Sequence, residues 1–176
     1  MAVTETSIVR FYRGTGLDAR GRSLDEVLAW DDKRLEDVHD YIQWLFPLDE
    51  PSQFNPHAPM LTAADRAAFE RDPDLAANLG RAFERMLAFF GLALDQSRQS
   101  PRVVRSTQWR DRSAAWLHPG NHNVLRLTRI MKSLCLLGQA RLANALYEVL
   151  ADQTRGRVTE TTLAYWQDAV QHKGRR

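Results

Sequence analysis

Lysine is nearly missing from this 176-residue chain, which has three against twenty-one arginines, a bias that fits a GC-rich bacterial genome. Cysteine is rarer still. Cys135 stands alone, so no disulfide can form within the chain, and its place in the run Leu134-Cys135-Leu136-Leu137 suits a small buried hydrophobe. No apolar stretch approaches the roughly 20 residues that span a bilayer, and Met1 to Arg10 lacks the apolar core of a signal peptide. The expectation is a cytoplasmic protein with no membrane span. Phosphate-binding P-loop, dinucleotide glycine fingerprint and G-x-S-x-G elbow are all missing; Gly14, Gly16 and Gly21 follow no predicted strand. His118 and His122 have a four-residue spacing, but Pro119 and Gly120 interrupt it and no cysteine or carboxylate stands near, so no metal site is expected. His39 and Asp40, as neighbours on an expected helix, point about 100° apart and make no acid–base pair. No catalytic residue and no cofactor are assigned, and the chain is expected to bind a partner rather than catalyse a reaction.

What is present is an ordinary globular composition, 44% hydrophobic and 26% charged, in a length that builds one domain with a real core. The net charge of +2 hides an asymmetry. Residues 1–75 carry 8 basic and 15 acidic side chains, and residues 76–176 carry 16 and 7, so the two parts stand at −7 and +9. The opposite signs either complement each other within the fold or leave a basic binding face.

Residues 1–22 hold three glycines among scattered charges and are expected to form an irregular arm that packs Phe11 and Tyr12. From 23 to 172 the pattern is helical. Ser23 and Glu26 form a capping box, and Asp31-Asp32 caps a helix through Phe46 with Leu35, Val38, Ile42 and Leu45 on one face. Pro47, Pro51, Pro56 and Pro59 keep the segment to Leu61 extended, a long proline-rich loop that needs an anchor or a job. Thr62 with Asp65, then Asp72-Pro73, open further helices, the second burying Leu75, Leu79, Ala82, Phe83, Met86 and Phe90 and stopping at Gly91. Asp95 to Arg112 is expected to be loop leading to a short helix at Trp109–Leu117. Helices follow over 123–137, from Leu142 and from Leu163, before a basic tail at 173–176. No β alternation and no internal repeat stand out, so the predicted fold is an all-α bundle of about six to eight helices.

The stretch from Arg102 to Lys132 concentrates seven cations against one acid, Asp111, and includes Trp109 and Trp116. Arginine beside aromatics suits phosphate contact with stacking, so Arg102, Arg105, Trp109, Arg110 and Arg112 form the alternative site, one for nucleic acid or a protein partner. No helix-turn-helix or other groove-reading signature accompanies them.

Two segments carry a resemblance: His39-Asp40-Tyr41-Ile42-Gln43-Trp44-Leu45-Phe46-Pro47-Leu48, and the run from His122-Asn123-Val124-Leu125-Arg126 through Arg129 to Leu134. With Phe11-Tyr12, the loop Asn55-Pro56-His57-Ala58-Pro59 and the helix end Met86 to Gly91, they resemble the conserved region of the opioid growth factor receptor family over nearly the whole chain. The resemblance implies a receptor for a peptide of the opioid growth factor type, unrelated to membrane-spanning opioid receptors. Its animal members are nuclear or perinuclear and carry long tails. For this chain the implied ligand is a peptide or a small anion. The stripe from Leu35 to Leu45 suffices for packing, which leaves Gln43 and Trp44 for a ligand. Arg126 and Arg129 share a helix face. Gln43, His122, Asn123, Arg126 and Arg129 are therefore expected to converge as a polar pocket, with Trp44 and Phe54 as apolar wall. The alternative is a buried polar network in which the arginines pair with Glu36, Asp37 or Asp40.

Overall fold

The computed structural model describes residues 5–53, 55–97, 99–118 and 120–172; Phe54, Pro119 and the expected tail at 173–176 lie outside the described residues. Among the described residues are ten helices and one two-stranded antiparallel sheet, a predominantly helical fold as expected. By its contacts the chain divides into two compact units, residues up to Phe83 and residues from Glu84, with the division inside helix α6 (Pro73–Phe90).

The first unit sets five short helices beside the first part of α6, which buries Leu75, Leu79, Ala82 and Phe83. Helix α1 (Ser7–Tyr12) occupies part of the expected irregular arm, and its cause is local: the Thr6 oxygen accepts from Val9 N at 3.2 Å, capping a turn whose Ile8, Val9, Phe11 and Tyr12 are buried. The Thr6 hydroxyl in turn donates to Asp65, a fully buried carboxylate. Asp65 also accepts from Thr62 N and Thr62 Oγ1, each at 2.7 Å, completing the capping box of α5 (Ala63–Arg71). One carboxylate thus closes two helix starts. Tyr12 packs edge-on against Phe69 and donates its hydroxyl to the Leu45 carbonyl, and burial pushes its phenol well above the ordinary range.

Helix α2 (Leu24–Leu28) begins where Ser23 Oγ accepts from Glu26 N at 3.1 Å. The helix expected from Asp31 through Phe46 is broken in two, α3 (Asp32–Asp37) and α4 (Ile42–Leu45), by Val38 in an extended conformation at φ −99°, ψ 134°. The three residues Val38, His39 and Asp40 are all weak helix formers. The corner they make lets the Tyr41 hydroxyl reach back to the Leu35 carbonyl at 3.1 Å. Leu35, Ile42 and Leu45 are buried as expected, whereas Val38 is only half-buried. The proline-rich segment that follows is fastened at its base by a parallel bridge between Leu48 and Met60, with Leu61 N donating to Leu48 O at 2.9 Å.

In the second unit a hairpin precedes long helices. Strands β1 (Leu92–Asp95) and β2 (Arg102–Arg105) pair with Leu92 opposite Arg105 and Asp95 opposite Arg102, where a loop was expected. Only Val103 of β2 is buried, so the four-residue strand offers too little alternation to register in the sequence. Gly91 turns into it at φ +82°; a Cβ there would sit 2.9 Å from the Trp109 Cα and 2.8 Å from the Arg112 Cβ. Helix α7 (Trp109–Trp116) buries Trp116, whose Nε1 donates to Phe90 O at 3.2 Å. Helices α8 (Asn123–Leu136), α9 (Ala140–Gln153) and α10 (Glu160–Val170) pack on one another, and α9 also covers β2. Leu127, Ile130, Leu134, Leu146, Leu150 and Trp166 fill that core. Cys135 is half-buried, and partial desolvation pushes its thiol up to about 11.

Candidate functional site

A cleft of about 550 Å³ opens in the first unit, lined by Ala19, Arg20, Arg22, His39, Asp40, Gln43, Trp44, Asn55 and His57. Three irregular segments and one short helix make it. The first segment is a tight turn whose Asp18 carboxylate accepts from Arg20 N and Arg22 N at 2.9 Å each and from Arg22 Nε at 2.6 Å. Gly21 closes it at φ +78°. That turn drives one arginine in and one out: the Arg22 side chain is 12% exposed and the Arg20 side chain 74%.

The second segment is the corner at Asp40. Its Oδ1 accepts from Arg22 Nη2 at 2.9 Å and its Oδ2 from Arg20 Nε at 3.1 Å. Partial burial acts to raise the Asp40 pKa, but the bonds and charges of Arg22 and Arg20 outweigh it and hold the carboxyl below its ordinary value. Arg22 and Arg34 flank the Trp30 ring, their guanidinium carbons 5.2 and 4.2 Å from its centroid, which fixes Arg22 from a third side.

Helix α4 supplies Gln43 and Trp44, both 7% exposed. Trp44 meets Phe11 edge-on at 5.4 Å, so the indole is at once core and cleft wall. Above it the proline-rich segment turns at Asn55, whose Oδ1 accepts from His57 N at 3.1 Å and whose Nδ2 donates to Gln43 Oε1 at 3.4 Å. Arg20's two terminal nitrogens have no hydrogen bond among the described residues, and His57 is exposed. The cleft therefore combines an apolar wall, a pair of amides and an unspent guanidinium edge.

Of the residues expected to form a pocket, Gln43 and Trp44 line this cleft. The other described ones lie in the second unit. Asn123 is fully buried at the start of α8 and accepts from Arg126 Nη1 at 3.1 Å; Arg126 is 5% exposed, with its guanidinium carbon 5.9 Å from the Phe89 centroid. His122 and Arg129 are half-buried. Sequence reasoning overlooked Arg20 and Arg22 as site residues. A signal existed in Asp18-x-Arg20-Gly21-Arg22, an aspartate and a glycine placed to close a turn around two arginines.

The basic alternative is divided by its surroundings. Arg102, Arg105 and Arg110 are exposed. Arg112 donates from Nε to Phe89 O at 2.8 Å and stacks on the Phe89 ring, and Trp109 packs edge-on against Trp116 at 6.1 Å. A second cleft of about 350 Å³ sets Glu148 and Asp152 of α9 beside Arg102 and Arg105, so that face mixes both signs. Among the described residues no helix is long and apolar enough to cross a membrane.

The family model described as "Opioid growth factor receptor (OGFr) conserved region" matches residues 4–176. The chain is 38% identical over 164 residues to the opioid growth factor receptor of Mus musculus, covering 89% of this chain and 25% of that protein. It is 35% identical to the opioid growth factor receptor of Homo sapiens, covering 98% of this chain and 26% of that protein. Opioid growth factor receptor-like protein 1 of Rattus norvegicus is 33% identical over 92% of this chain and 36% of its own length. The chain thus spans about a quarter to a third of these relatives. No solved structure matches.

Proposed function

This chain belongs to the opioid growth factor receptor conserved-region family, and from that premise we propose that it is a non-enzymatic binding module whose cleft over Trp44 takes a short, negatively charged peptide. The observation that carries the proposal is the composition of the cleft: Trp44 beside the Gln43–Asn55 amide pair and the outward guanidinium of Arg20. Amides read a peptide backbone through a donor and an acceptor, an arginine edge reads a carboxylate or phosphate, and an aromatic wall accepts an apolar side chain. The relatives are named as receptors for an opioid growth factor, which favours a peptide over a metabolite.

Asn123 and Arg126 of α8 take a different role in this reading. They serve as internal support, because both are buried and bonded to each other. Thermal-shift screening of peptides against the full chain tests the assignment. A stabilising peptide is expected to lose its effect in Arg20→Ala and in Gln43→Ala, while Arg126→Ala lowers stability without ligand by about 2 kcal/mol. Stabilisation that survives both cleft substitutions but disappears in a stably folded Arg126→Ala variant moves the site to α8.

A further inference from the structure

Resting on the peptide-binding reading above, we infer that the cleft recognises the free C-terminal carboxylate of its peptide. The charged and titratable groups that face the cleft are Arg20, Arg22, His39, Asp40 and His57. The one carboxylate among them is already committed: both oxygens of Asp40 hold arginine nitrogens, at 2.9 and 3.1 Å. An incoming ammonium group, such as a peptide N-terminus, meets it beside two guanidinium charges that repel a further cation. Arg22 is committed as well, between Asp18 at 2.6 Å and Asp40.

Arg20 differs. It spends only Nε on Asp40, and its side chain is 74% exposed. The two terminal nitrogens present the end-on fork that matches a carboxylate with two parallel hydrogen bonds. Beside it, Asn55 donates to Gln43 Oε1 at 3.4 Å, and the amide donors of Gln43 have no hydrogen-bond partner among the described residues. Those donors suit the carbonyl of a peptide group near the chain end. A carboxylate carried on a peptide backbone satisfies the fork and the amide pair together, whereas an N-terminal ammonium has no acceptor to offer the fork.

A side-chain carboxylate presents the same anion, so the experiment separates the two sources. Three pools of N-acetylated tetrapeptides are titrated into the ¹⁵N-labelled full chain: one fully randomised with a free C-terminus, the same pool amidated, and an amidated pool with glutamate fixed at the third position. The side-chain amides of Gln43 and Asn55 and the Trp44 indole are followed by NMR. The free-acid pool is expected to move these signals at a concentration at least about tenfold below either amidated pool. Arg20→Ala is expected to bring the free-acid pool down to the amidated level, with the melting temperature unchanged. Equal potency of the acid and amide pools, or recovery of potency by the fixed glutamate, overturns the C-terminal assignment and leaves the peptide-binding reading standing. Absence of movement with all three pools overturns both.

Discussion

Each of the two units of this chain has its own apolar core, and the helices around that core are secured by different means in each. In the unit up to Phe83, helices α1 to α5 run from four to nine residues, too short to be stable alone, and side chains bonded to backbone or to each other close them: Thr6 and Thr62 on Asp65, Tyr12 on Leu45 O, Tyr41 on Leu35 O. In the unit from Glu84, helices of 14, 14 and 11 residues bury continuous apolar stripes, and most of their stabilisation is area removed from water. A fold whose short helices are pinned over an apolar core by point-like polar contacts can place side chains at sharp corners. One resting on stripes resists deformation but offers smooth faces.

The largest expected effect lies in the striped unit. Trp166 is fully buried, and its Nε1 donates to Val124 O at 3.3 Å. Trp166→Ala is expected to cost about 4 kcal/mol, read as a lower urea midpoint and as hydrogen-exchange protection lost first in α8 to α10. Equal loss in α1 to α5 would erase the distinction between the units. Asp65→Ala comes next. It strands the Thr6 hydroxyl and the Thr62 amide and removes half of a capping box, a loss of about 3 kcal/mol expected to appear first in α1 and α5 by the same exchange measurement.

These two sites also show what the sequence made legible. Trp166 stands on a periodic stripe with Leu163 and Val170, and helix spacing alone marks it. Asp65 was visible only as a cap; its bond to Thr6, 59 positions away, follows from no local pattern. The same limit explains α1 and the break at Val38. Apolar spacing continues smoothly from Leu35 to Leu45, so periodicity extends the helix straight through the corner that the Tyr41 hydroxyl and the Asp40 carboxylate hold in place. Gln43 and Trp44 were legible as surplus to that stripe. Arg20 and Arg22 were not, because their meaning depends on Asp18 and Asp40 together.

Smaller tests sharpen the comparison further. Tyr12→Phe keeps the ring against Phe69 and deletes one hydroxyl, so the expected cost of about 1 to 2 kcal/mol isolates the bond to Leu45 O from the packing. A loss near zero by chemical denaturation would assign that contact to shape alone. The smallest effect concerns acid. Because the Asp40 carboxyl is held below its ordinary value of 3.8, its pairing contributes stability that is present above that value and is lost as pH falls beneath it. Asp40→Asn is therefore expected to narrow its gap in melting temperature from the wild type as pH drops from about 5 to about 3, and a gap that stays constant contradicts the assignment.

The bridge between Leu48 and Met60 has one more consequence. It turns the proline-rich segment into a ring with a fixed clasp, and a ring's closing entropy rises only with the logarithm of its circumference, about 0.6 kcal/mol for each doubling. Residues can be spliced in or removed beyond Asn55 at small thermodynamic cost, because the frame beneath is held by the clasp rather than by the rim. In engineering terms the rim is an interchangeable part: a library varied in length and composition around His57 can retune what the cleft accepts while the machinery that presents Gln43, Trp44 and Arg20 stays as it is.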